Sequence, residues 1–203
     1  EAGRKELMLT YVKYNFKTPS LKVKSNSSPS AINTVHGEIC KHLPSLLNPA
    51  NTDFLLVNKF MKFSSIIFDV IVKSMAHFLL SSGRIKMHRN ERFPKEFEKR
   101  IENLFNVLMP YLISRYKELP LETQQLNKSL SVFVKKCLTL MDRGFVFKLI
   151  RQYMDKWSPG DPRTLQEFKF QFVQEVCSHE HYIPLNLPLT INPNHRSQPD
   201  ILN

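Results

Sequence analysis

The chain has 203 residues, of which 42% are apolar, 5 are Gly and 13 are Pro. That length buries a full core in one domain or two small ones, and so little Gly speaks against a turn-rich β architecture. Its 29 Lys+Arg against 18 Asp+Glu give a formal net charge of +11, which favours nucleic acid, anionic lipid or an acidic protein face as partner without choosing among them. The charge is spread out: residues 59–100 hold ten Lys/Arg and four Asp/Glu, set between apolar residues and never in a run of five. That pattern reads as a solvated outer face. Cys40, Cys137 and Cys177 are odd in number and far apart, and residues 1–20 are charged without an apolar core. Reduced thiols and a cytoplasmic location are therefore expected.

In chain order, residues 1–16 fit a helix end or a strand equally well. Residues 17–30 (KTPSLKVKSNSSPS) have little to bury and read as a linker. The first helix is predicted from Ala31 to Leu47, capped by Ser30, with Ile32, Val35, Ile39 and Leu43 as its apolar stripe and Asn48-Pro49 as its stop. Thr52 or Asp53 opens a long helix to Leu80, with Phe60, Phe63, Ile67, Val70, Ile71, Met75 and Phe78 expected inside and Ser81-Ser82-Gly83 ending it. Its stretch Phe63–Leu80 is apolar enough to raise a membrane span. Asp69, Lys73 and His77 instead fall four residues apart on one face, and a mid-membrane Asp or Lys costs about 2.5–3.5 kcal/mol. A core helix with an Asp69–Lys73 pair on its wet side is the expectation.

A further helix opens at Pro94, with Phe97, Ile101, Leu104, Phe105, Leu108, Leu112 and Tyr116 inward and a kink expected at Pro110. Leu119-Pro120 breaks it. Leu126, Leu130, Phe133, Val134, Cys137, Leu138 and Met141 mark the next, closing at Arg143-Gly144, and a shorter helix follows from Phe145 to Trp157. Ser158-Pro159-Gly160-Asp161-Pro162 is a break and restart, with Asp161 as N-cap and Pro162 in the first helical position. Leu165, Phe168, Phe172 and Val176 continue at helical spacing. Phe168, Phe170 and Phe172 also alternate, so a strand is the rival reading, and the cap signal favours helix. Four prolines (Pro184, Pro188, Pro193, Pro199) mark residues 183–203 as an extended tail. The sum is an all-α fold: residues 1–30 a mixed segment and linker, 31–182 about six helices in antiparallel pairs stacked as an armadillo- or HEAT-like solenoid, and 183–203 the extended end.

No stretch points to catalysis. Cys177-Ser178-His179-Glu180-His181 is the compact cluster of metal-ligand types, but it is not His-Glu-x-x-His, and Cys40, Cys137, His36 and His42 would have to converge on it to complete a site. Cys137 lies on a buried-type stripe; Cys177, beside two His, is the better nucleophile candidate. Glu96 and Glu98 lie among basic residues and look solvated. The sequence has no Gly-x-Ser-x-Gly, P-loop or dinucleotide-binding turn, so no catalytic, cofactor-binding or metal residue is assigned and no cofactor is expected. For nucleic acid, Lys86–Phe93 is the nearest basic stretch, read as loop-bound positives outside any module pattern, so nucleic acid is disfavoured as a partner. Asn26-Ser27-Ser28 and Asn127-Lys128-Ser129 match the glycosylation pattern, against the expected compartment.

Four strings go beyond generic helix patterning: RNERFP (Arg89–Pro94), NVLMPYL (Asn106–Leu112), MDRGFVF (Met141–Phe147), and PGDP-x-TL-x-EFKF-x-F with VC-x-HEHYIPLNLP (Pro159–Pro188). Together they resemble the dedicator-of-cytokinesis family, its zizimin subgroup, over about residues 50–190. The resemblance implies a large cytosolic exchange factor for Rho-type GTPases of the Cdc and Rac type. In that family a lipid-binding C2-like domain and a C-terminal exchange domain flank a long armadillo-like helical stretch. This chain would belong to that stretch, with no exchange residues of its own. Its expected partners are the parent's other domains, a small Rho-family GTPase through a domain outside this sequence, and an anionic membrane surface, with recruitment to the plasma membrane. Two function classes are carried forward: a helical scaffold between domains, and a basic polyanion-binding module.

Overall fold

The computed structural model describes residues 7, 10–12, 34–48 and 54–182, and within them the chain is helical without a strand. Six α-helices follow one another: α1 (Val35–Leu46), α2 (Phe54–Ser81), α3 (Lys95–Arg115), α4 (Pro120–Leu140), α5 (Arg143–Met154) and α6 (Arg163–Cys177). Leu7 and residues 10–12 are helical too, which settles the ambiguity of the N-terminal segment there. Single 3-10 turns occupy Arg84–Lys86, Arg89–Glu91 and Glu180–Tyr182. The linker expected at 17–30 and the tail at 183–203 lie outside the described residues.

Consecutive helices fold back on each other, and every second helix stacks: α1 on α3 on α5 in one row, α2 on α4 on α6 in the other. The stacked helices run parallel. Ser64 of α2 meets Ser129 of α4 at 3.0 Å, and further on Asp69 meets Lys136 at 2.9 Å, so both helices advance together. Asn127 and Lys135 of α4 reach Phe168 and Glu175 of α6 in the same sense. This is the solenoid logic of helix pairs that bury one face on their neighbours. The small hydroxyls of Ser64 and Ser129 bring α2 and α4 close, and both also bond to helix carbonyls, so neither is left unsatisfied.

The helices stand where the periodicity places them, with shifts at their ends. Thr34, not Ser30, caps α1, its hydroxyl accepting from the Gly37 N–H. Pro94 and Pro162 are N-caps rather than first helical residues. The Asp161 carboxylate accepts instead from Ser158 N–H, tightening the turn before α6. Arg143-Gly144 does not close α4. Met141 does, Asp142 caps α5 by accepting from Phe145 N–H, and Gly144 falls inside the first turn of α5 beneath that carboxylate. At the end of α2, Gly83 adopts φ 71°, the left-handed conformation expected of it. Helix α3 runs on through Pro110 at an exposed position, on the same wet side as Asn106, whose carbonyl loses its N–H partner.

Burial follows the sequence in α3, α4 and α6, where all the inward residues except the half-buried Tyr116 are buried. In α6, Phe170 is 67% exposed, so the alternation of its phenylalanines belongs to a helix. The first pair departs. In α1 the buried set is His36, Gly37, Cys40 and Pro44, while Val35 is exposed. In α2, Phe63 and Val70 are exposed and Ile67 only half-buried; Met61, Ser64, Phe68 and Val72 take their place beside Phe60, Ile71, Met75 and Phe78. The expected Asp69–Lys73 pair forms at 2.6 Å, and Lys136 of α4 joins it. Although α2 is long and apolar enough to cross a membrane, here it is the helix on which both α1 and α4 pack.

Ile71→Ala therefore deletes fully buried methyl and methylene groups and is expected to lower unfolding free energy by about 2–5 kcal/mol. Val70→Ala, on the open side, is expected to stay within about 0.5 kcal/mol. Chemical denaturation of the two variants checks the rotation of α2, and equal losses would contradict it.

Candidate functional site

Helix α4 touches α2, α3, α5 and α6, so its C-terminal carbonyls end inside the protein rather than in water. Buried carbonyls need donors, and two arginines from the segment before α3 supply them. Nη1 of Arg89 donates to the carbonyls of Leu138 (2.9 Å), Thr139 (2.8 Å) and Met141 (3.2 Å). Nη1 of Arg92 reaches Thr139 and Leu140, and its Nη2 donates to Ile85 at 3.0 Å. Both guanidinium groups thus sit at the negative end of the α4 dipole, where cations are stabilised. Burial, and then the nearby Arg143, push Arg89 down to about 10 and lower Arg92 as well. Both lie on the connection between α2 and α3, as the sequence suggested, but Arg92 is only 5% exposed, so they are not solvated positives.

The 177–181 cluster of metal-ligand residue types lies at the same junction. His179 is buried; its Nδ1 accepts the His181 N–H at 3.0 Å, which leaves the ring proton on Nε2, 2.9 Å from the Thr139 hydroxyl. Burial lowers its pKa, opposed by Glu180 and reinforced by Arg143. Glu180 receives the Tyr11 hydroxyl and so ties the N-terminal segment to the end of the fold. Cys177 is exposed beyond them. Among the described residues no three ligand types gather around a common point.

The other residues considered for such a site are elsewhere. His42 is exposed and pairs with Glu38 at 3.3 Å. Cys40 and Cys137 are buried, and desolvation raises the Cys40 thiol to about 12 and Cys137 likewise upward. His36 is enclosed by the rings of Phe97 (4.7 Å), Phe78 (5.5 Å) and Phe93 (5.8 Å), with Ser74 on Nδ1 and Thr34 on Nε2. Glu96 is exposed beside Arg100, but Glu98 is buried and holds Lys95 at 2.9 Å. Asn127, of one glycosylation pattern, is fully buried between Tyr153 and the Phe168 carbonyl. A shallow groove of about 160 Å³ opens between α2 and α4, floored by Phe68, Val72 and Phe133 and edged by Asp69, Lys128 and Lys136.

What the junction does is structural: it fixes the end of α4, the start of α5 and the turn after α6 to one another. Three of the four distinctive strings meet there, RNERFP through Arg89 and Arg92, MDRGFVF through Met141 and Asp142, and the 176–182 string through His179. Sequence reasoning missed Arg89 and Arg92, because a charged residue in a polar connection reads as solvated. Their place in a string too specific for generic helix patterning was the available signal.

Comparison with known proteins gives one consistent result. The model of the family described as "DOCK6-11, TPR domain" matches residues 1–177. Dedicator of cytokinesis protein 9 of Homo sapiens is 43% identical over 189 residues, 93% of this chain and 9% of that protein. Dedicator of cytokinesis protein 11 of Danio rerio is 38% identical over the same length, again 9% of its own chain. Dedicator of cytokinesis protein 7 of Homo sapiens is 36% identical over 129 residues, 61% of this chain and 6% of that one. The chain thus spans under a tenth of the length of these relatives. No solved structure matches it.

Two outcomes test the junction and the enclosed histidine. Arg92→Met removes a charged group bonded to several buried carbonyls and is expected to cost about 3 kcal/mol. Arg92→Lys should recover less than half, since one ammonium cannot serve Ile85 and Leu140 together. Burial lowers His36 from 6.5 to about 4, so the unfolded chain binds the extra proton first as pH falls. Stability is complete above about pH 6.5 and is lost between there and about pH 4, by on the order of 3 kcal/mol. His36→Phe should flatten that slope in denaturation measured across the window, with His179 leaving a smaller remainder in the same direction.

Proposed function

The chain belongs to the DOCK6-11 family, in the subgroup of dedicator of cytokinesis proteins 9 and 11, and we propose that it serves there as a helical scaffold rather than as a catalyst. In this reading the segment spaces a lipid-binding domain from a nucleotide-exchange domain in a longer Rho-GTPase exchange factor of the Cdc and Rac type, and it offers docking surface to other proteins. It works in the cytoplasm and, through the parent, at the plasma membrane. The observation that carries the reading is the junction at the end of α4: the most distinctive side chains go into fixing helices to one another. A spacer needs that stiffness.

The alternative is a basic module for polyanions. Most of the ion pairs stand against it, because Lys73, Lys95, Arg100, Arg115, Lys135, Lys136 and Lys148 each hold a carboxylate of this same chain. The charge left over is dispersed along the helices.

The isolated chain is expected to leave nucleotide release from Cdc-type and Rac-type GTPases at the unassisted rate, and acceleration by the chain alone would end the scaffold reading. In the longer protein, replacing residues 34–182 by a Gly/Ser linker should spare exchange on a soluble GTPase and depress it on a membrane-anchored one. Binding to vesicles containing phosphatidylserine should fade near physiological ionic strength, where the screening length is about 8 Å. Retention at about 0.5 M salt would favour the polyanion module.

A further inference from the structure

Most of the surplus positive charge is dispersed, but three arginines gather at the end of α4. Arg100, Arg115, Arg151 and Arg163 each pair with a carboxylate of this chain. Arg84 donates to backbone carbonyls and lies over the Phe78 ring. Arg89, Arg92 and Arg143 hold no carboxylate among the described residues, yet they stand within electrostatic reach of one another. Burial and then Arg143 lower both Arg89 and Arg92, and burial, Arg143 and Arg89 lower His181. Like charges gathered this way repel, so each needs a reason to be there.

Arg89 and Arg92 have theirs in the carbonyls of Leu138 to Met141. Arg143 has none within the protein. Its guanidinium makes no hydrogen bond or ion pair among the described residues, although its Nε is sealed from solvent. Native proteins keep few such donors, because an unpaired one is costly. Arg89 uses only Nη1 on the carbonyls. Its Nε and Nη2, the edge that grips an oxyanion through two parallel bonds, donate to nothing among the described residues. The nearest carboxylates are already engaged: Asp142 accepts from Phe145 N–H, and Glu180 receives the Tyr11 hydroxyl. The His181 ring packs 5.9 Å from Phe147 and makes no hydrogen bond of its own.

We propose that Arg89, Arg143 and His181 form a binding site for a phosphorylated side chain of a partner protein. A phosphoryl group brings nearly two negative charges and three acceptor oxygens at neutral pH. Those oxygens can share the open edge of Arg89, the whole guanidinium of Arg143 and an imidazole N–H of His181. A carboxylate fills a single fork and leaves the rest of the positive charge standing. An anionic bilayer is a broad sheet of negative charge and would press on Asp142 and Glu180, which border the cluster. A single phosphoryl group need not.

This gives the proposed docking role a partner chemistry and so rests on it, while the test reads anion binding alone and leaves the exchange measurements aside. The probe is a capped peptide with phosphoserine between Gly residues, with Ser and Glu counterparts as controls. Each is titrated at fixed ionic strength into the 203-residue chain, isotope-labelled at its arginine side chains. The phosphopeptide should shift the Nε–H resonances of Arg89 and Arg143 with a dissociation constant of about 1 mM, and the Glu peptide should bind at least about tenfold more weakly. Arg143→Gln should weaken the phosphopeptide about tenfold. Its circular dichroism spectrum should be unchanged and its thermal midpoint should not fall, since that guanidinium has no hydrogen bond to lose. His181→Ala should weaken binding about threefold, and Arg151→Gln, at an arginine paired with Asp155, should change nothing. No shift up to about 20 mM phosphopeptide, equal affinity for the Glu peptide, or undiminished binding by Arg143→Gln would overturn the proposal. So would inositol trisphosphate binding more than about a hundredfold tighter than the phosphopeptide, or retention on vesicles containing phosphatidylinositol bisphosphate that Arg143→Gln abolishes, since either marks a lipid site.

Discussion

A helix that ends in the middle of a protein creates a debt of hydrogen bonds, and here the last turn of α4 is where that constraint falls. Its carbonyls cannot reach water because α5 and the 3-10 turn at Glu180–Tyr182 close over them. Neutral donors from the backbone are not available, since the chain must turn directly into α5 at Asp142. Arg89 and Arg92 resolve this from a distance of about fifty residues in sequence. Their planar guanidinium groups reach several carbonyls at once, which a lysine ammonium does less well. Because α4 packs on α2, α3, α5 and α6, what fixes its end bears on both rows.

The strings that carry the family resemblance supply the parts that meet that constraint. RNERFP brings the donors, MDRGFVF brings an acceptor and the cap of the following helix, and the segment around His179 closes the remaining side. The stacked pairs are also unequal. Ser64 and Ser129 are 65 residues apart, while Asn127 and Phe168 are 41 apart. No fixed period of about 34 residues, the tetratricopeptide length, would have been visible by eye.

The helices themselves were legible because apolar periodicity is strong and Pro and Gly mark their ends. What the sequence could not decide was which side of the first pair faces in. Helix α2 has apolar residues on two faces, Phe68, Ile71 and Met75 on one and Phe63, Ile66 and Val70 on the other, and periodicity weighs them alike. In α1 the choice went to His36 and Cys40 rather than Val35, because an imidazole with both nitrogens satisfied can be buried among three phenyl rings. Buried polar groups were the other blind spot. Asn127, Ser64 and Ser129 look solvated in a sequence, yet each meets a partner from an element far along the chain. The caps at Thr34 and Asp142 were missed by four residues and by one helix boundary respectively, for want of any signal stronger than the neighbouring Ser30 and Gly144.

The three cysteines make the fold readable from outside. Cys40 and Cys137 are sealed in the core, 1% and 0% exposed, and burial makes the thiolate, the reactive form, unfavourable at both. Cys177 stands in the open at the end of α6. The native chain therefore offers a single address to a thiol reagent and the unfolded chain offers three. Counting labelled sulfurs by mass gives the folded fraction directly, and a dye placed on Cys177 watches the very end where the N-terminal segment is tied through Tyr11 and Glu180.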